Sequence, residues 1–365
     1  MSMLYKVKAD AVYIHIPFCL HKCEYCDFTS FSGKLNWKKR YLEALYQEIS
    51  LYEHSYYDTI YFGGGTPSLL EGKEIAKILE LLPHDEKTEI TVECNPKTLN
   101  LKKLQDYFEI GVNRLSIGIQ SMNEKYLKML GRLHTVQEAK EVFQMAREIG
   151  FQNISVDMMF ALPTQTLEEV EEDIENFLCL DADHISIYSL IWEENTPFFQ
   201  KLEKGIYQRT ENDVEAEMYQ KIIETMKENS YEHYEISNFA KSGYSSRHNQ
   251  KYWQNQNYLG IGLGASGYLE EIRYSNDRDF EHYFSNVNKN RFPREEEEIL
   301  NGEMKEQYRY LLGFRQLNTW LTPSGKYKKI CETLFKKSYL IKREEEYQIT
   351  QKGLFFFNDM LEYFL

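Results

Sequence analysis

Six short runs rich in β-branched and aromatic residues, each followed by a helical pattern, limit what this chain can fold into more than any other feature. The runs are Val12–Ile16, Thr59–Phe62, Glu89–Glu93, Arg114–Ile119, Ile154–Met159 and His184–Leu190. Between the first two, Trp37, Tyr41, Leu42, Leu45 and Ile49 repeat at helical spacing on one face. Thr135 with Glu138, and Thr166 with Glu169, form capping-box signatures that open two further helices. Gly111 and Gly150 stand where helical patterns end and suit a left-handed terminating residue. Strand–helix repetition of this kind predicts a parallel sheet with right-handed crossovers, either doubly wound or an incomplete βα barrel. In both, functional residues collect at the C-terminal ends of the strands.

The alternation stops near residue 200. A long helix is expected over 210–229 and a short strand over 231–236, followed by a Gly-, Asn- and aromatic-rich stretch. The closing "YQITQKGLFFFNDMLEYFL" reads as strand, glycine and helix, the pattern of a small winged-helix-like module. The expected organisation is an α/β barrel domain over 1–235, a linking segment over 236–300 and a C-terminal domain over 301–365.

With 365 residues, 42% hydrophobic and 27% charged, the chain has the composition of a folded protein of one large or two ordinary domains. The net charge of −14 and the lack of a long Lys/Arg block argue against nucleic acid as a partner. No apolar run approaches the ~20 residues of a transmembrane helix, and "MSMLYKVKAD" lacks a signal-peptide core. These features predict a cytoplasmic chain with reduced thiols.

"CLHKCEYC" places Cys19, Cys23 and Cys26 within eight residues, spaced C-x3-C-x2-C. A structural zinc site calls for four ligands, and no second C-x2-C pair exists. A redox Cys23–Cys26 pair leaves Cys19 unused. Three thiolates suit a [4Fe–4S] cluster with one iron left open to an exogenous chelator. The other cysteines, Cys94, Cys179 and Cys331, are scattered and read as small apolar residues.

"YFGGGTP" (61–67) follows the second strand. It lacks the lysine of a P-loop, and alone it is a tight turn. Glu93 stands in "TVECNP", Gln120 in "LSIGIQS", Arg132 in "LGRLH" and Asp157 in "VDMMFALPTQT". Singly, each is a cap, turn former or ion-pair partner. Together with the cysteines, and with Tyr25 before the third of them, they resemble in order the oxygen-independent coproporphyrinogen III oxidase-like family of radical S-adenosylmethionine (SAM) proteins. The resemblance runs from about residue 10 to the C-terminus. It implies a three-quarter (β/α)6 barrel and a [4Fe–4S] cluster on Cys19, Cys23 and Cys26. There the open iron takes the SAM amino and carboxylate groups, and SAM is cleaved to a 5′-deoxyadenosyl radical. It further implies SAM contacts from Gly64, Gly65, Thr66, Glu93, Gln120, Arg132 and Asp157, with Tyr13, Tyr25 and Ser189 matching further contact positions.

Within that family two activities compete: oxidative decarboxylation of coproporphyrinogen III, and the binding and delivery of heme by the radical SAM heme chaperones. Cys26 is followed by Asp27 and Phe28, whereas the oxidase pattern continues C-x-C. The segment before Cys19 is short. "HNQKYW" (248–253) matches the H-N-x-x-Y-W motif of the chaperone-like group, in which the histidine is the proposed heme ligand. Histidine is a common axial ligand of heme iron, and Tyr252 and Trp253 would supply flat apolar surface. The plainer reading is a loop histidine beside two core aromatics. "YLGIGLGASGY" either lets backbone approach the macrocycle or is a packed turn. The resemblance thus implies heme as cargo and an acceptor hemoprotein, with a membrane-bound respiratory protein as the family's example. His15 is expected to orient the cysteine loop. His21 and His134 carry no local sign of ligation. A third reading, a scaffold without radical chemistry, sits poorly with the intact cysteine and glycine motifs.

Overall fold

The computed structural model describes residues 5–365. Its centre is a sheet of nine strands. Six are parallel and in sequence order: β1 (Ala11–Ile16), β2 (Thr59–Gly64), β3 (Glu89–Cys94), β4 (Arg114–Gln120), β5 (Ile154–Phe160) and β6 (His184–Ser189). All six runs read from the sequence are strands. Helices cross over between them: α1 (Lys38–Ile49), α2 (Gly72–Leu79), α3 (Leu101–Glu109), α4 (Glu124–Leu130), α5 (Val136–Ile149) and α6 (Leu167–Leu178). Thr135 and Thr166 close reciprocal capping boxes with Glu138 and Glu169, each cap contributing about 1 kcal/mol. Gly111 and Gly150 take positive φ angles of 92° and 120°.

Sequence-neighbouring parallel strands place the helices on the outer face, where Tyr41, Leu45, Ile75, Ile78, Leu104, Tyr107, Val142, Phe143, Ile174 and Phe177 are buried against the sheet. The inner face is polar. Tyr61 bonds Glu93 across β2 and β3, Ser116 reaches Asp157 across β4 and β5, and Ser155 reaches His184 across β5 and β6. Residues from β2 to β6 and from the loop after β1 meet in one cavity, so the sheet curves around its polar face as an incomplete barrel.

Residues 236–300, the expected linking segment, add strands to the nine-stranded sheet and build a second sheet of three. The chain leaves β6 through α7 (Pro197–Glu203) and α8 (Asn212–Glu228). It then adds β7 (Glu232–Glu235) and β8 (Asn238–Ala240), with β8 antiparallel on β6. It next passes beneath the barrel as α9 (Arg247–Trp253) and emerges as β9 (Leu259–Ile261), parallel to β1 at the opposite edge. One stretch therefore covers both edges of the sheet, which would otherwise be open to pairing. A three-stranded sheet of β10 (Ser266–Leu269), β11 (Ile272–Asn276) and β12 (Arg294–Ile299), with α10 (Phe280–Asn288), follows on the same side. Buried Glu48 of α1 ties it down by accepting from Gly262 N at 2.9 Å, Asn276 Nδ2 at 2.8 Å and Tyr283 OH at 2.6 Å.

The C-terminal residues build a second core. Helices α11 (Gly302–Gly313) and α12 (Tyr327–Lys336), the hairpin β13 (Leu340–Arg343) and β14 (Glu346–Ile349), and the closing helices α13 (Gln351–Phe355) and α14 (Phe357–Leu361) enclose Tyr310, Phe314, Leu334, Tyr347 and Phe364. Helix, helix, hairpin and helix is a winged-helix-like order. Among the described residues no helix is long and apolar enough to cross a membrane.

Candidate functional site at the barrel mouth

The loop after β1 carries the three cysteines over the C-terminal strand ends. Phe31 N donates to Pro17 O at 2.8 Å and closes its base, and Cys26 N donates to Cys23 O at 3.2 Å in a tight turn. His15 pins the loop from inside. Its Nε2 contacts Thr29 O at 2.8 Å and its Nδ1 contacts Tyr13 OH at 3.1 Å. A carbonyl only accepts, so Nε2 carries the proton and Nδ1 accepts from Tyr13. Burial lowers the His15 pKa to about 4 and keeps this neutral tautomer.

The glycine triplet makes room on three sides. A Cβ on Gly63 would lie 2.7 Å from the Tyr13 ring, and one on Gly64, at φ 111°, 2.5 Å from the His15 ring. A Cβ on Gly65 would lie 2.7 Å from Phe18 O and 3.1 Å from Cys19 Sγ. Thr66 Oγ1 donates to Cys19 Sγ at 3.5 Å. The Gly64 N–H, one candidate for an incoming ligand, already donates to Glu93 Oε2 at 3.1 Å.

Cys19, Cys23, Tyr25, Cys26, Gly64, Gly65, Thr66, Glu93, Gln120, Arg132, Asp157 and Ser189 all line one cavity of about 360 Å3. Residues from seven chain segments thus converge. Tyr13 does not reach this cavity; it lies deeper in the barrel, stacked beside Tyr61. Burial, with Asp157 as a repelling neighbour, raises the Glu93 carboxyl to about 7. Burial raises Asp157 to about 6. Gln120 holds a left-handed φ of 79°, a strained setting for a residue with a Cβ, and accepts from Tyr188 OH at 2.6 Å. Arg132 donates to Cys23 Sγ at 3.4 Å and to Gly118 O, while its Nε is buried without a partner.

These residues fit a multi-iron cluster with a polar ligand beside it. Burial raises the Cys26 thiol to about 11 and also raises Cys19, so both become thiolates only when a metal displaces the proton. Among the described residues no three His, Cys, Asp or Glu side chains converge on a single ion. The three thiols border one space, a lining that fits a cluster held by three cysteines. The unsatisfied Arg132 Nε is a donor that a bound anionic ligand would use.

Sequence reasoning missed Ser116 and Tyr188, which also line the cavity. The signal was present: from Gln120, a period of two along β4 leads inward to Gly118 and Ser116. A Cβ on Gly118 would come 2.9 Å from Gln120 Nε2 and 3.4 Å from Arg132 Nη2.

His248, for which the resemblance implies heme ligation and the plainer reading a loop position, is neither at this mouth nor in a loop. It lies in α9, capped by Ser246, at the N-terminal end of the barrel strands and only 1% exposed. Its Nδ1 pairs with Thr59 Oγ1 at 2.8 Å and its Nε2 with Tyr252 OH at 2.7 Å. Its backbone N donates to Glu89 Oε1 at 3.1 Å. Burial, reinforced by Lys251 and Arg114, lowers its pKa to about 3. Both ring nitrogens are therefore engaged within the fold. The glycine-rich stretch after it is packed against the protein itself: a Cβ on Gly260 would fall 2.0 Å from Ser266 O.

Residues 13–177 match the model of the radical SAM superfamily. The chain is 36% identical over 372 residues to the heme chaperone HemW of Lactococcus lactis, covering 98% of each. It is 40% identical over 311 residues to that of Bacillus subtilis, covering 82% of each, and 32% identical over 391 residues to that of Escherichia coli, covering 99% of each. Its fold is similar to that of the E. coli coproporphyrinogen III oxidase HemN, a radical SAM enzyme, with a TM-score of 0.85 over 97% of this chain and 89% of that one at 21% identity. Full-length identity to several heme chaperones, together with the radical SAM motifs in place around one cavity, means that this chain belongs to the HemW heme chaperone family of the radical SAM superfamily.

Proposed function

We propose that this protein binds heme and passes it to an acceptor hemoprotein, and that its barrel mouth holds a [4Fe–4S] cluster and SAM. The full-length similarity to proteins named heme chaperones carries the heme reading. The convergence of three thiols, a glycine turn, Glu93, Arg132 and Asp157 on one cavity supports the cluster and SAM. When bound, the cluster supplies an electron and an open iron position. Cys19, Cys23 and Cys26 hold it. Arg132 offers a guanidinium to a carboxylate, Glu93 and Asp157 offer carboxylates to an ammonium or ribose hydroxyls, and Gln120 offers an amide. For His248 to ligate heme iron, its bond to Tyr252 must break and α9 must lift from the barrel end.

The test is anaerobic reconstitution with iron and sulfide, followed by heme in one arm and coproporphyrinogen III with SAM in the other. The expected result is stoichiometric heme binding and transfer to apomyoglobin, with no decarboxylation. Turnover of coproporphyrinogen III would overturn the chaperone reading. A His248→Ala arm decides the ligand: unchanged heme affinity and spectrum would remove His248 from that role.

A further inference from the structure

A continuous line of contacts runs through the barrel from α9 to the mouth. The Tyr61 ring lies between two others, stacking on His248 at 4.9 Å with 24° between planes and beside Tyr13 at 6.1 Å with 23°. Its hydroxyl donates to Glu93 Oε1 at 2.8 Å. The other carboxylate oxygen, Oε2, accepts from Gly64 N at 3.1 Å. One carboxylate is thus oriented by a tyrosine at one oxygen and by the glycine loop at the other. The tyrosine is in turn held by the histidine of the H-N-x-x-Y-W motif. The next residues of α9 point elsewhere: the Arg315 guanidinium sits 5.2 Å from the Trp253 ring, and Leu317 N donates to Tyr234 O at 3.0 Å, which joins the C-terminal domain to the same end of the barrel.

We propose that Tyr61 is a positioning residue of the SAM site, which orients the Glu93 carboxylate, and that His248 fixes Tyr61 in that role. This rests on the reading that Glu93 contacts SAM. Disturbing α9, by heme or by an acceptor, then changes SAM affinity through Tyr61, and by linkage SAM changes the ease of that disturbance by the same factor. The Glu93 carboxylate also faces Asp157 of β5 and Arg114 of β4, with Tyr13 of β1 and Tyr252 of α9 nearby. Tyr61 is the neighbour that donates to it from a side chain. Loss of that hydroxyl removes a stabilising bond to the ionised form, so protonation of Glu93 becomes easier.

The test measures binding of SAM to the reconstituted full-length protein between pH 6 and 8.5. Tyr61→Phe keeps both ring contacts and removes only the hydroxyl. It is expected to weaken SAM binding roughly tenfold at pH 7.5, to move the midpoint of the pH profile upward, and to leave iron content unchanged. His248→Phe, which keeps a ring over Tyr61, is expected to retain more SAM affinity than His248→Ala. The Tyr61→Phe effect is expected to shrink in the His248→Ala background, as a double-mutant cycle reads. Wild-type affinity and an unmoved pH midpoint in Tyr61→Phe would overturn the proposal. Glu93→Gln separates the two failures. If it binds SAM as wild type, the Glu93 reading falls and the proposal with it; if it binds weakly while Tyr61→Phe binds normally, only the proposal falls.

Discussion

Arg132 Nη1 lies 3.4 Å from Cys23 Sγ, a residue 109 positions earlier in the chain. The guanidinium therefore sits between a thiol of the cysteine loop and the inner face of β4, where it also donates to Gly118 O. Its unpartnered Nε leaves one donor for a further anion. Arg132→Met is expected to weaken SAM binding by about 1.5–3 kcal/mol, the range for a lost charge-assisted bond. Iron content should stay near that of the wild type, because the thiols remain. Equilibrium dialysis beside an iron assay reads both quantities; unchanged SAM affinity would place the ligand carboxylate elsewhere.

Iron content also separates the cysteines. Alanine at Cys19, Cys23 or Cys26 is expected to abolish the cluster absorbance of the reconstituted protein. Alanine at Cys94, Cys179 or Cys331 is expected to leave it intact, since none of these lies in the cysteine loop and Cys331 is in α12 of the C-terminal domain. Full iron loading of Cys23→Ala would refute the cluster assignment.

SAM affinity should depend on pH through Glu93. In the free protein this carboxyl is held up near 7 by burial and by Asp157. A cationic ligand favours the ionised form, so binding releases a proton near neutral pH. Affinity is expected to be full above pH 7.5 and to fall as pH drops below about 7. Calorimetry in two buffers of different ionisation heat reads the released proton, and a flat profile from pH 6 to 8 would exclude Glu93 as the linked group.

Glu48 gives a stability prediction away from the site. Burial raises its pKa from 4.5 to about 7, against three donors that favour the anion. A group raised in this way contributes stability that is complete below pH 4.5 and is lost as pH rises through 7. Glu48→Gln is therefore expected to flatten the pH dependence of the unfolding midpoint between 5 and 8. Glu48→Ala leaves three buried donors unmatched and is expected to cost about 3 kcal/mol, read by denaturant unfolding.

The sequence and the structure agree where the cause is local. β1 to β6 announce themselves because each carries an apolar residue at every second position, facing the helices, and the capping boxes because hydroxyl and glutamate are three residues apart. The mouth residues were legible because each sits within a short motif. What escaped is the product of distant pairing. Nothing near Leu259 says that it lies beside Val12. Nothing in "HNQKYW" says that its histidine faces Thr59 instead of a ligand. Nothing in "YFGGGTP" sets Tyr61 apart from other strand aromatics. Its role appears only when the pairing of β2 with β3 brings Glu93 to its hydroxyl.

The pairing of β9 with β1 has a consequence during synthesis. At roughly 5–20 residues per second, on the order of ten seconds or more separates the emergence of Val12 from that of Leu259. Throughout that interval a nascent chain carries a finished first strand with a bare edge and a barrel floor that still lacks its plug. Ribosome-bound intermediates of this length are thus the stage most exposed to misassembly. A chain halted before residue 259 would leave that edge bare for good, even though every cysteine of the mouth had already been made.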